Sequence, residues 1–209
     1  MSLNQNIEHS QYHIPTDVLS KIITKALEQV KPQVIKGRGN GEEHKKLSQN
    51  WVKYFAEGLE KHYQGKEKNI ISFFNQRKLK KNEPPVKEFL YDISVAEYDS
   101  FQASFSGNKI PFITRPIWQI ESEFREDMNE IARDFQKLIS GNAPYKMMVG
   151  PLGRNESEFY LRDMTHLARY VTGELYFLFI THPETWDKQI KWRLHKWGYW
   201  DLIGDGEIR

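Results

Sequence analysis

The hydrophobic pattern between Phe112 and Thr181 constrains the fold of this 209-residue chain more than any other feature. Along that stretch the pattern switches repeatedly between period two and helical spacing. Phe112 to Phe124 reads as a strand. Arg125 to Ser140 reads as an amphipathic helix with Met128, Ile131, Phe135 and Leu138 turned inward, stopped at Gly141 and Asn142. Tyr145 to Val149 is a short apolar strand. Ser157 to Val171 is a helix with Leu161, Met164, Leu167 and Val171 aligned, and Glu174 to Thr181 is another apolar strand. A sheet with helices packed on it accommodates this alternation. The expected fold class is α/β (α+β), a small mixed sheet flanked by helices.

The rest of the chain reads as additions to that core. Residues 1–13 are polar and read as a flexible tail. Pro15-Thr16-Asp17 opens a helix carrying Val18, Ile22, Ile23, Ala26 and Val30. Lys31 to Lys46 holds Pro32, Gly37, Gly39 and Gly41 among charges and reads as a loop. A second helix is expected from Leu47 to Tyr63. A third is expected from Glu67 through Ile70, Ile71, Phe73 and Phe74, ending in the basic run Arg77 to Lys81. After a break at Asn82 to Pro85, Lys87 to Ala96 reads as a strand. Pro183 to Lys196 is expected as a final helix, followed by the aromatic piece Trp197 to Trp200. The domain is thus expected to be single over 14–209, with a helical part at 14–81, an αβ core at 86–182 and a C-terminal helix and aromatic tail at 183–209.

Composition narrows the chemistry. Cysteine is absent, which excludes disulfides, thiol catalysis and Cys-based zinc sites. No apolar run approaches the ~18 residues of a membrane span, so no membrane partner is expected. The polar start lacks the apolar segment of a signal peptide, and the expected compartment is the cytoplasm. The seven His show no zinc spacing, Gly37 to Gly41 lacks P-loop context, and no nucleophile elbow occurs. Net charge is +2, but residues 1–81 carry 15 Lys and Arg against 8 Asp and Glu. That basic front suits either an anionic partner or an ordinary solvated helical surface. Trp186, Trp192, Trp197 and Trp200 alternate with cations, a pattern that fits either core anchors or bases stacked on aromatic rings.

Candidate chemistry concentrates on Ile117 to Phe124. Strand alternation puts Trp118, Ile120 and Phe124 on one face and Gln119, Glu121 and Glu123 on the other. Two carboxylates two residues apart on a strand stand roughly 7 Å apart and both reach one divalent ion, directly or through water. The same pattern also suits a solvent-facing polar edge. Asp92, opposite Phe89, Tyr91, Ile93 and Val95, converges on Glu121 and Glu123 if the two strands are neighbours. Three acids on one patch repel unless a cation binds. Lys137, on the helix after the strand, either returns over the sheet to these acids or pairs with Asp134 on its own helix.

Glu88-Phe89-Leu90-Tyr91-Asp92, Gln119 to Phe124, Asp134-Phe135-Gln136-Lys137-Leu138 and Ala143 to Val149 together resemble the PD-(D/E)xK (restriction-endonuclease-like) nuclease superfamily. The closer resemblance is to an uncharacterised branch with an E-S-E strand followed by a D-F-x-K-L helix. It covers about residues 86–182. It implies a restriction-endonuclease-like core with Mg²⁺ or Mn²⁺ held by Asp92, Glu121 and Glu123, and phosphodiester hydrolysis on nucleic acid, DNA before RNA. By position Asp92 matches the acid of the first core strand and Glu121 the acid of the (D/E)-x-K pair. Glu123 stands where the Lys usually does, so either Lys137 takes over that role from the helix or the site is inactive. Relatives often add a Glu from the preceding helix, for which Glu57 and Glu60 are both candidates. The rival expectation is a non-catalytic protein- or nucleic-acid-binding module on the same fold. A two-carboxylate glycosidase is a third option, for which the chain is short. A homodimer is compatible with either of the first two.

Overall fold

The computed structural model describes residues 11–33, 41–64, 69–75, 77–78, 83–84, 90–125, 127–153, 156–198 and 201–208. Two helices come first, α1 (Thr16–Val30) and α2 (Gly41–Tyr63). They are followed by β1 (Ile70–Phe73), β2 (Ile93–Gln102), β3 (Lys109–Ser122), α3 (Met128–Ser140), β4 (Tyr145–Pro151), α4 (Glu156–Ala168), β5 (Glu174–Ile180), β6 (Ile190–Lys196) and β7 (Asp201–Ile208). Among the described residues the strands form one mixed sheet in sequence order, β1-β2-β3-β4-β5-β6-β7. The β3–β4 and β4–β5 pairs are parallel and the others antiparallel. The two parallel steps are those bridged by α3 and α4, because a parallel pair needs a crossover connection. The expected α/β class is the class observed.

The central strands are buried on both faces. On β4, Tyr145, Met147 and Val149 join the core under α1 and α2, whereas Met148 joins the core under α3 and α4. On β5, Tyr176, Leu178 and Ile180 face the first layer, and Leu175, Phe177 and Phe179 face the second. This two-sided burial explains why the strands read as apolar runs rather than alternating ones. Ile131, Phe135 and Leu138 of α3 are fully buried, and Phe135 stacks on Phe177 with ring centroids 6.0 Å apart. Met128, expected inward, is 37% exposed, because it opens the first turn of the helix.

Several expected elements differ. Ile70 to Phe73 is a strand, not part of a third helix. All four residues are buried, and so short a run carries no periodicity that separates strand from buried helix. The Pro183–Lys196 helix reduces to a 3₁₀ turn at Pro183–Thr185. Ile190, Trp192 and Leu194 of β6 then alternate inward against exposed Lys191 and Arg193, at period two. β7 was not expected. Trp192 lies flat across it, so that a Cβ on Gly206 would come within 2.5 Å of the indole Nε1. Helix α2 begins at Gly41, inside the stretch expected as a loop, and 34–40 lie outside the described residues. The strand expected from Lys87 starts at Ile93, and 85–89 lie outside the described residues. Residues 1–10 of the expected tail also lie outside them, as do Leu79, Lys80, Lys81 and Trp200, whereas Tyr12 is buried. Trp186 and Trp192 are core anchors, 0% and 2% exposed.

A relay of aromatic groups pins the N-terminal layer to the sheet. The Trp118 indole N–H donates to the Tyr63 hydroxyl at 2.8 Å, and that hydroxyl donates to the Tyr12 carbonyl at 2.7 Å. Trp118 also stacks on Tyr145, with centroids 5.1 Å apart. Burial drives the Tyr63 hydroxyl far above the usual phenol range, which keeps it a donor. Tyr63→Phe leaves a buried indole N–H and a buried carbonyl without this partner. Denaturant titration is expected to show a loss of roughly 1–3 kcal/mol, and an unchanged midpoint would count against the relay.

Candidate functional site

The strand register decides which acids meet. Ile93 pairs with Ile120 across β2 and β3, which sets Asp92, immediately before β2, beside Glu121 and Ser122 at the end of β3. The Asp92 carboxylate accepts hydrogen bonds from the Ser122 main-chain N–H at 2.8 Å and from its hydroxyl at 2.7 Å. One irregularity in this ladder lies between Val95 and Ala96, where the partner jumps from Trp118 to Pro116. The extra residue, Ile117, shifts the alternation. Beyond it, Trp118 and Ile120 point to the α1/α2 layer, and Glu121 points to α3.

Glu121 is the unusual group. Its side chain is only 1% exposed. One oxygen, Oε2, accepts from the Lys137 ammonium at 3.2 Å, and the other, Oε1, is buried with no hydrogen-bond partner. Lys137 comes from the last turn of α3 and also holds Asp134 at 2.8 Å. The two alternatives open for Lys137 are therefore both realised, since it pairs on its own helix and reaches the sheet. Burial first, and then the nearby Asp92 charge, push the Glu121 carboxyl up to about 9, against the pull of Lys137. Burial also raises Asp92 above the usual carboxylate range, outweighing its hydrogen bonds from Ser122. Burial lowers Lys137, but its hydrogen bond to Asp134 and the charge of Glu121 outweigh this and raise it, so it stays cationic.

Glu123 behaves differently from the alternation expectation. The strand ends at Ser122, and the Glu123 carboxylate turns back to Arg125. It accepts from the Arg125 main-chain N–H at 2.7 Å and from the guanidinium at 2.7 Å and 3.2 Å. The structure thus brings Asp92, Glu121 and Lys137 together and engages Glu123 elsewhere. Among the described residues, no three His, Asp or Glu side chains are arranged as a metal-binding group. Neither helix glutamate joins the acids. Glu60 is buried among Ser72 and Arg77, each 2.7 Å from its Oε2, and ties α2 to β1. Glu57 lines a separate groove between α1 and α2.

Asp92, Ser122 and Glu123 open onto a cleft of about 610 Å³ at the carboxyl ends of β1, β3 and β5. That edge is where open α/β sheets usually admit ligands. The first turns of α2 cover it with His44, Lys45 and Ser48, and the turn after β5 contributes His182 and Glu184. Sequence reasoning missed these residues. They carry no motif, and α2 and the turn after β5 meet only in the folded chain.

A protonated Glu121 links folding to pH. Its folded value lies above its unfolded one, so its contribution is fully present below the ordinary carboxylate range and is lost as pH rises toward 9. In buffer containing a chelator, wild-type stability is expected to fall from pH 5 to 8.5 with a slope of up to about 1.4 kcal/mol per unit. Glu121→Gln should flatten that slope. Equal slopes in the two proteins would contradict the assignment. In the same assay Glu60→Ala should cost roughly 1–3 kcal/mol, because Ser72 and Arg77 lose a buried acceptor and Arg77 keeps only Glu83, 2.9 Å away.

Among the described residues, no helix is long and apolar enough to cross a membrane. Comparison with family models, with curated proteins and with solved structures finds no match to this chain.

Proposed function

We propose that this chain is a metal-dependent nuclease hydrolysing phosphodiester bonds of nucleic acid, DNA before RNA, in the cytoplasm, and compatible with a homodimer. The observation that carries the reading is the meeting of Asp92 and Glu121 across neighbouring strands, with Lys137 against them. The resemblance to PD-(D/E)xK nucleases implies Asp92, Glu121 and Glu123 as ligands; the meeting of the first two with Lys137 supports the reading, without Glu123.

The donor set fits a hard divalent cation. Glu121 Oε1 is a buried carboxylate oxygen with no partner, and a buried oxygen of that kind is costly unless something binds it. Burial raises both carboxyls, and the Asp92 charge adds to the rise at Glu121, so a cation bound there would favour the ionised pair. Mg²⁺ keeps several waters and needs only one or two carboxylates plus substrate phosphates, so two acids are enough. Asp92 and Glu121 would hold Mg²⁺ or Mn²⁺, and Glu123, occupied by Arg125, would not. When bound, such an ion lowers the pKa of a coordinated water and offsets the charge of the scissile phosphate.

The chain's own groups divide the remaining work. Lys137 is anchored by Asp134 and keeps its positive charge beside Glu121, where it offsets negative charge growing on the phosphoryl oxygens. It does so from α3, which answers the absence of a Lys at position 123. Ser122 fixes the Asp92 carboxylate through two hydrogen bonds and so sets its direction. Arg125, paired with Glu123 and Glu130, still exposes 67% of its side chain at the mouth of the cleft, where it would attract a phosphate backbone.

Calorimetric titration of Mn²⁺ and Mg²⁺ into wild type and into the Asp92→Ala/Glu121→Ala variant tests this. Binding by wild type that the variant loses is expected, with Mg²⁺-dependent cleavage of labelled DNA falling at least about 100-fold in Lys137→Ala. Equal metal binding in both proteins would overturn the reading in favour of a binding module.

A further inference from the structure

The acids and Lys137 leave one chemical role unfilled. Hydrolysis needs a group that accepts a proton from the attacking water, and Lys137 is held as a cation by Asp134 beside Glu121. The cleft that Asp92 lines carries other groups on its α2 side. His44 on α2 has its Nδ1 3.6 Å from Glu184 Oε1, and its side chain is 17% exposed. His182 has its Nδ1 3.8 Å from Glu184 Oε2, and the two imidazole rings stand near-perpendicular, 6.5 Å apart. The charged and titratable groups lining this cleft are Lys45 beside His44 on α2, His182 and Glu184 from the turn after β5, Glu123 and Arg125 after β3, and Asp92 before β2.

The two histidines are not equivalent. His182 Nδ1 accepts the main-chain N–H of Glu184 at 3.3 Å, where it caps the short 3₁₀ turn. An accepting Nδ1 carries no proton, so His182 cannot donate to the Glu184 carboxylate from that atom. Glu184 is thereby left to His44, whose Nδ1 then carries the proton and whose Nε2 keeps its lone pair. A carboxylate on one imidazole nitrogen fixes the tautomer. The 3.6 Å approach exceeds a hydrogen bond, as such pairs often do before substrate tightens them.

Building on the nuclease reading, we propose that His44 is the proton acceptor of the cleft and Glu184 the positioning residue that sets its tautomer. In the step, a water oxygen forms a bond to phosphorus and its proton passes to His44 Nε2. The bond from phosphorus to the leaving oxygen breaks, and its electron pair stays on that oxygen, which takes a proton from solvent. The ligand class is a phosphodiester strand laid along the cleft between Asp92 and the imidazoles.

Nitrogen-detected NMR of protein labelled with ¹⁵N-histidine, in chelator buffer, tests the positioning without any cleavage. Neutral His44 is expected as the Nδ1–H tautomer, and Glu184→Ala is expected to lower the population of that tautomer. An Nε2–H tautomer in wild type, or one unaffected by Glu184→Ala, overturns the proposal. The second measurement is the pH profile of Mg²⁺-dependent cleavage of a labelled single-stranded DNA. His44→Gln should lower kcat about 100-fold, abolish the acidic limb and leave calorimetric Mn²⁺ affinity unchanged. An unchanged kcat or limb in His44→Gln overturns the assignment of His44 alone. A wild type that neither binds Mn²⁺ nor cleaves overturns it together with the nuclease reading.

Discussion

The burial of Glu121 beside Asp92 is the constraint around which the rest of this site is arranged. A carboxylate that is 1% exposed, beside a second acid and with one oxygen unpartnered, is a poor choice for stability. A short aliphatic side chain would pack there at no electrostatic cost. The surrounding structure manages the charge through one cation, Lys137, and through a proton that Glu121 retains well above the ordinary range. Such concentrated perturbation at the end of a sheet is a frequent mark of a functional site.

The fold accounts for why these groups meet. Parallel β3, β4 and β5 are carried by α3 and α4 on one face. The first crossover helix, α3, therefore begins just past the E-S-E strand end and lays Lys137 back along the same strand. The opposite layer, α1 and α2, is tied down by the Trp118–Tyr63–Tyr12 relay and by Glu60 with Arg77. That tie holds the first turns of α2 over the sheet edge, and with them His44.

Much of this was legible in the sequence where periodicity is strong. The β3–α3–β4–α4–β5 run was readable because each element is long or fully apolar, and the convergence of Asp92 with Glu121 followed from strand adjacency. The failures have physical causes. Ile70–Phe73 is four buried residues, too short for any period to show. In β6 the alternation Ile190, Trp192, Leu194 was present, but Pro183 invited a helix start. Glu123 was assigned by extending the strand two residues, whereas a local turn to Arg125 ends it at Ser122. His44 and Glu184 are 140 positions apart and carry no motif, so only the folded chain joins them.

The central claim is that Asp92 and Glu121 form one cation site. The most direct measurement is anomalous diffraction from a crystal grown with Mn²⁺. The account predicts a single strong peak bridging the Asp92 and Glu121 carboxylates, including Glu121 Oε1, with Glu123 still on Arg125. An occupied manganese site elsewhere, or none while the Glu121–Lys137 pair persists, would contradict it.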